Sequence, residues 1–468
     1  MLLRTLLTTI SALTLAACAV GPDYAAPSSP AAASGPFLST KAGVTTAAPA
    51  DANWWRLYND PVLDGLVADA LAANTDVRVA VARIAKARAA LREVRGDRLP
   101  STNVSAGANY GRVSEGQVPA GADREGWQVD AGLTVGYEVD LFGRVSRGVE
   151  AARGDVAAAE ADADAVRVTV AAETARAYAD AASSAERLGV AERIVSLLDQ
   201  SVKLTARRAE VGLTTRLDTA RVAALRNQRA ADIPAIAAER DAALFRLATL
   251  TGRTPADLPP IAAARTTTLR LDQPIPVGDG AALLARRPDV AAAERRLAAA
   301  TARIGVATAD LYPKVTLGAS VGQTSSGLGD LFGGGPLRWL LGPLISWNFL
   351  NQEGARARIA GAEADTQVTL AQFDGTVLRA LEETETALSG YAHMLDRRTA
   401  LQAARDEAGT AVKITRAQQR EGAIDGLAAL DAERTFAEAE GALALADARI
   451  ADAQVDLFRA LGGRWDAS

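Results

Sequence analysis

Along this chain the apolar positions follow two rhythms: an every-second-residue alternation confined to four short segments, and a helical spacing over the long Ala/Arg/Glu/Val stretches between them. From Gln128 to Asp140, Val129, Ala131, Leu133, Val135, Tyr137 and Val139 fall on one face, opposite Gln128, Asp130, Gly132, Thr134, Gly136, Glu138 and Asp140. Thr102 to Tyr110 shows a weaker form, with Val104, Ala106, Ala108 and Tyr110 opposing Asn103, Ser105, Gly107 and Asn109. Further on, Val315, Leu317, Ala319 and Val321 oppose Lys314, Thr316, Gly318 and Ser320, and Trp339, Leu341, Ile345, Trp347 and Phe349 share one face of a fourth segment. Each segment is about ten residues long, which with a small polar face suits a membrane β-strand that meets lipid on one side and a watery lumen on the other. A soluble amphipathic sheet alternates in the same way, but four strands in paired positions downstream of an export signal favour the membrane. Four strands cannot close a barrel, because an open edge in lipid leaves backbone groups unpaired, so several chains must pool their strands.

The helical stretches recur with the strands. From Arg144 to the Gly212 region run ~65 residues without a proline, about 100 Å of helix. A helix of ~36 residues (Pro61 to Arg98) precedes the first strand and one of ~38 (Leu213 to Leu250) follows Gly212, together roughly matching the long one. Gly212 and Gly422 then mark the far turns of a tall helical layer, and Gly189 and Pro234 are the places where a helix would bend or split. Asn74-Thr75-Asp76-Val77 through Leu99-Pro100 is echoed by Arg287-Pro288-Asp289-Val290 through Tyr312-Pro313 at an offset of ~213 residues, and Val211 to Leu217 by Glu421 to Leu427. Two tandem repeats follow, 54–260 and 261–468, the second with equatorial segments and the C-terminus.

The N-terminus reads MLLRTLLTTISALTLAAC, a basic start and an apolar run from about Leu6 to Leu15 that is too short for the ~20 residues of a spanning helix. Residues 1–17 are expected to be a lipoprotein signal peptide whose removal leaves Cys18 to carry the lipid, and the Pro/Ala/Ser/Thr-rich stretch to residue 53 to be an acylated tether. Ala19 is not the Asp that retains lipoproteins in the inner membrane, which points to the outer membrane. Cys18 is the only cysteine, so no internal disulfide forms.

Composition narrows the chemistry. A net charge of -5 gives no attraction to nucleic acid, and aromatics at 4% leave alanine-rich helices to pack by close approach. The only histidine, His393, has no partner for a triad or a His-based metal site, and the carboxylates alternate with arginines as in LREVRGDR and AAAERRL, the pattern of solvated helix pairs. No catalytic residue, metal or cofactor is expected.

Trp54-Trp55-Arg56-Leu57-Tyr58-Asn59-Asp60-Pro61, RRPDVAAAERRLAAATARIGVATADLYPKVTLGASVG (Arg286 to Gly322), Tyr137-Glu138-Val139-Asp140-Leu141-Phe142-Gly143-Arg144, Leu250-Thr251-Gly252 and Ala460-Leu461-Gly462-Gly463-Arg464-Trp465 resemble the TolC/OprM outer-membrane efflux channels, specifically their lipoprotein branch. The resemblance spans essentially the whole mature chain. It implies an α+β membrane protein: a homotrimer giving four strands per chain to a twelve-stranded outer-membrane barrel, continued by a long periplasmic α-helical barrel with a mixed equatorial collar. It also implies partners: a periplasmic adaptor protein and an inner-membrane transporter, usually of the resistance-nodulation-division (RND) class, with the channel as a passive exit duct. Under the same resemblance Val211, Gly212, Leu213 and Thr214 match the first periplasmic tip, and Gly422, Ala423 and Ile424 the second. Where relatives commonly carry tyrosines near the second tip, this chain has Gln418, Gln419 and Gly426. A carboxylate gate then rests on Asp425, offset by Arg420, although Asp425 also suits a helix N-cap. The expected function is passive export of small toxic or amphipathic compounds. Type I protein secretion is a second transport reading, and a non-conducting structural periplasmic lipoprotein a third, against which the four alternating strands speak.

Overall fold

The computed structural model describes residues 19–27, 33–41, 43–47, 49, 52–114, 116, 121, 123–325, 337–424 and 426–463; Cys18, Asp425 and the signal segment lie outside them. In chain order the elements are β1 (Val44–Thr45), α1 (Pro61–Ala73), α2 (Thr75–Gly96), β2 (Ser101–Arg112), β3 (Glu125–Val139), α3 (Arg144–Glu210), α4 (Arg216–Leu250), β4 (Ile275–Pro276), α5 (Gly280–Arg286), α6 (Pro288–Ala309), β5 (Lys314–Ser325), β6 (Leu337–Ser346), α7 (Glu353–Arg420) and α8 (Gly426–Leu461). Two helices, two strands, a very long helix and a returning helix therefore occur twice in the same order.

The long helix α3 runs unbroken for 67 residues through Gly189, and Pro234 sits inside the 35-residue α4 without ending it. A single glycine costs about 1 kcal/mol in a helix, less than the burial of Val190, Ile194 and Leu198 just beyond it returns. The single helix expected from Pro61 to Arg98 is instead two. Asn74 is extended (ψ 137°), and its side chain explains the break. Its Oδ1 accepts from the Asp76 and Val77 amides (2.8 and 3.4 Å), while its Nδ2 donates to the Leu250 carbonyl at 3.0 Å. One buried side chain thus caps α2 and satisfies an end carbonyl of α4. Helix α4 begins at Arg216 rather than Leu213, because Thr215 and Asp218 form a reciprocal capping box.

Contacts divide the chain into two compact units. One holds the described residues of Met1–Pro27, Arg83–Ala159 and Ala293–Phe373. Its centre is a wholly antiparallel sheet in the order β2-β3-β5-β6. Strand β3 stops at Val139, one residue short of expectation, which frees Asp140 to accept from the Val145 and Ser146 amides and cap the first turn of α3. Strand β6 stops at Ser346, so Trp347 and Phe349 lie beyond it, Trp347 donating to the Leu311 carbonyl at 2.9 Å. The segment read as a tether is here laid against the unit: the Val20 amide bonds Phe142 O, Asp23 pairs with Arg147 at 2.6 Å, and Tyr24 donates to Glu294. Composition alone made it look loose, whereas Asp23 and Tyr24 each have a specific partner.

The other unit holds the described residues of Ser28–Ala82, Glu160–Ala292 and Asp374–Ser468. Its core gathers Trp54, Leu63, Tyr178, Leu247, Ile450 and Phe458, with Trp54 stacked on Phe458 at 4.6 Å, and it also takes Phe37 from the expected tether. The short parallel pair β1 and β4 belongs to it. Two of the buried polar side chains here tie the core together. Gln454 donates to Leu271 O and Tyr391 Oη and accepts from the Leu271 amide, and Asp60 caps α1 while receiving Tyr178 and Arg265, each at 3.0 Å.

Candidate functional site: a two-faced sheet and two helical tips

The strand registers decide which side chains share a face. Leu133 pairs with Val104 and Val321, Val135 with Ala319, Tyr137 with Leu317, and Val321 in turn with Trp339. Ala319 pairs with Leu341 and Val315 with Ile345. The four separate alternations therefore merge into one continuous apolar face, most of whose large side chains are exposed in the single chain. On the opposite face lie Asn103, Ser105 and Gly107 of β2, Asp130, Gly132, Thr134 and Gly136 of β3, and Thr316, Gly318 and Ser320 of β5. Leu340 and Leu344 of β6 interrupt that polar face. A methyl group at Gly318 would come within 3.0 Å of Leu344 Cδ1, so the glycine makes room for the leucine to lie flat.

Charges on the polar face are mutually compensated. Asp130 accepts from Thr324 at 2.6 Å and faces Arg338 at 3.4 Å, and Glu138 is clasped by Arg144 through two bonds of 2.7 Å and by Lys314 at 2.8 Å. A lining of this kind carries little net field. No helix among the described residues is long and apolar enough to cross a membrane.

In the other unit, Gly212 and Gly422 end α3 and α7 with φ of +75° and +72°, the left-handed conformation that favours glycine. Both ends close identically. The Gly212 amide bonds Ala209 O and Leu213 bonds Arg208 O, and likewise Gly422 bonds Gln419 O and Ala423 bonds Gln418 O. Val211 and Leu213 stand exposed, Thr214 and Ile424 are half-buried, and Arg420 is exposed. The two tips meet through a residue that sequence reasoning missed: Arg208 donates from Nη2 to the Gln419 carbonyl at 3.0 Å. Its only signal was a basic pair, Arg207-Arg208, in the last turn of a long helix. Above the tips Glu433 of α8, also missed, is nearly buried and receives Ser201 of α3 and Arg416 of α7, at 2.9 and 3.0 Å. The Asp425 gate falls outside the described residues.

The sequence echo at Asn74 and Arg287 has a structural counterpart. Arg287 breaks α5 from α6 as Asn74 breaks α1 from α2, and its Nη1 donates to Ala460 O at 2.9 Å, near the end of α8. Its charge is met by Asp289 and Glu383 at 2.7 and 2.8 Å. Burial works against ionising Asp289, but the hydrogen bonds and charge of Arg287 outweigh it and hold this carboxyl below the usual range.

The model of the outer membrane efflux protein family matches residues 66–253 and 281–463. Over 458 residues the chain is 32% identical to outer membrane protein OprJ of Pseudomonas aeruginosa, an alignment covering 97% of this chain and 95% of that relative. It is 30% identical over 476 residues to the toluene efflux pump outer membrane protein TtgC of Pseudomonas putida, covering 97% and 94%. Among solved structures, the outer-membrane channel OprN superposes with a TM-score of 0.88 at 35% identity, over 96% of this chain and 100% of that one. A sheet with one continuous apolar face, set in a chain with this whole-length similarity, places the protein in the outer membrane efflux protein family, as an outer-membrane efflux channel.

Proposed function

We propose that three copies of the chain pool their strands into a closed outer-membrane barrel and form the passive exit duct of a tripartite pump for small toxic or amphipathic compounds. The observation that carries this reading is the sheet itself. Strands β2 and β6 are its edges, and in lipid an unpaired strand edge costs several kcal/mol per exposed group, so the edges must be covered by further copies. The compensated charges of the lumenal face fit a duct that passes chemically varied cargo with weak ion selectivity. A relative named for toluene efflux makes apolar toxic compounds the first cargo to test.

The exposed Val211 and Leu213, with Gly212, Thr214, Gly422, Ala423 and Ile424, are the surface offered to a periplasmic adaptor that leads to an RND-type inner-membrane transporter. The Arg208 to Gln419 bond and the Glu433 cluster hold the tips in their resting arrangement. Asp425 with Arg420 is the gate candidate, and Cys18 the lipid anchor. The direct test is mass measurement of the detergent-purified protein followed by planar-bilayer recording. A trimer that conducts with little ion selectivity supports the reading, and a folded, non-conducting monomer contradicts it. For the gate, Asp425→Asn keeps a capping group but removes the charge. Conductance equal to the parent at every calcium concentration assigns Asp425 to the cap instead.

A further inference from the structure

The polar face of the sheet carries two large apolar side chains that the single chain leaves uncovered. Leu340 and Leu344 of β6 are 60% and 56% exposed, on the face that also presents Asp130, Thr134, Thr316 and Ser320. Among the described residues of the four strands they are the only large apolar side chains on that face, since every other position there on β2, β3, β5 and β6 is glycine, polar or charged.

Between the two leucines the wall is bare backbone. Gly342 lies midway and pairs with Gly318, while Leu340 pairs with Ser320 and Leu344 with Thr316. A methyl group on Gly342 would meet nothing within 4 Å, and one on Gly318 would press on Leu344 Cδ1 at 3.0 Å. The result is a notch about 13 Å long along the strand, floored by two glycines and walled at its ends by the leucines. Both glycines keep it open.

Closing a barrel does not cover this notch. Strand β6 is an edge, and in the assembly proposed above its free side meets β2 of the next copy. On the same face β2 carries Ser101, Asn103, Ser105, Gly107, Asn109 and Gly111, and a shift of two residues in register only exchanges one of these for another. None of them brings apolar surface across the seam to bury a leucine. Charge adds no net attraction, because Arg338 beyond Leu340 faces Asp130 at 3.4 Å and Lys314 beyond Leu344 is held by Glu138 at 2.8 Å. What the notch offers a solute is apolar contact without a field.

We propose that Leu340 and Leu344 form an apolar foothold on the lumenal wall, once per copy, on which the alkyl or aromatic part of an amphipathic cargo molecule rests in transit. The foothold rests on the duct reading above and adds to it the residues that favour apolar over polar solutes of the same charge.

The test is planar-bilayer recording of the detergent-purified protein with tetramethylammonium and tetrabutylammonium as probes, which share a charge and differ in apolar surface. In the parent, tetrabutylammonium should reduce the current at lower concentration than tetramethylammonium. In the Leu340→Ser/Leu344→Ser double variant the half-blocking concentration of tetrabutylammonium should rise about threefold to tenfold, the loss of one or two methylene contacts, with tetramethylammonium unchanged. Single Leu340→Thr and Leu344→Thr variants, which keep a strand-forming side chain, should each give part of the rise. Block by tetrabutylammonium equal in parent and variants would overturn the foothold while leaving the duct standing, whereas a parent that does not conduct contradicts the duct itself. Variants that all fail to form heat-resistant trimers would assign the leucines to the seam between copies and overturn the foothold as well.

Discussion

The same residue types have opposite fates in the two units. In the helical core Leu63 and Leu247 are 0% exposed, whereas on the sheet Val104 is 78% and Trp339 and Leu341 are each 73% exposed. Polar groups invert in the same way. Gln454 and Asp60 are buried with every bond made, while the polar face of the sheet is built from small, open positions such as Gly107, Ser105 and Thr134. Apolar patterning therefore reports the solvent that each face meets. The core obeys the water rule, and the sheet obeys the lipid rule, in which apolar outside is the satisfied state.

Substitutions can separate the two regimes. Phe458→Ala removes the ring stacked on Trp54 and should cost about 3 to 5 kcal/mol in detergent unfolding, whereas Trp339→Ala on the sheet should leave the unfolding midpoint nearly unchanged. Equal losses at the two sites would erase the distinction. Arg287→Leu strands the buried Ala460 carbonyl and unpairs the partly exposed Asp289 and Glu383, a loss of about 1 to 3 kcal/mol. The same cluster sets an acid limit. Since Asp289 is held below its usual range, its contribution is present above the unfolded value and lost as pH falls through the folded one. The parent should therefore lose midpoint on acidification more steeply than Asp289→Asn, and identical acid limbs would exclude this role.

Charge on the sheet probes the other regime. Leu133→Arg should cost about 2 to 4 kcal/mol if that face lies near the bilayer midplane, seen as lost heat-resistant oligomer, while Thr134→Arg should assemble and alter single-channel current. The smallest effect is local to a tip. Gly212→Ala forces a side chain into a left-handed turn at about 1 to 2 kcal/mol, which hydrogen exchange should report as fraying of the last turn of α3 with the core untouched. Fraying that spreads to Leu247 would show that tip and core are one cooperative element.

What could be read from residues alone follows the same division. The apolar faces of the strands were legible because one side of each is apolar along its length, although Leu340 and Leu344 break the alternation on the other side of β6. Repetition exposed the equivalence of Asn74 and Arg287, but not their work, since the carbonyls they reach lie 176 and 173 residues away. The carboxylates read as solvated helix pairs include Glu433 and the half-buried Asp447, which Arg270 and Arg398 hold. Nothing local distinguishes these from their exposed neighbours, because their burial is created by helices distant in sequence. Ends of elements were displaced wherever a side chain intervenes, as Asp140 does after β3 and the Thr215 to Asp218 box does before α4.

The lipid regime of the sheet can be measured without relying on stability. A nitroxide placed singly at positions 133, 134, 135 and 136 of the membrane-embedded protein reports collisions with oxygen, which concentrates in lipid, and with a water-soluble nickel chelate. Positions 133 and 135 should favour oxygen and positions 134 and 136 the chelate, alternating with period two. Equal chelate access at all four positions would mean that both faces of the sheet meet water, and would contradict the membrane barrel.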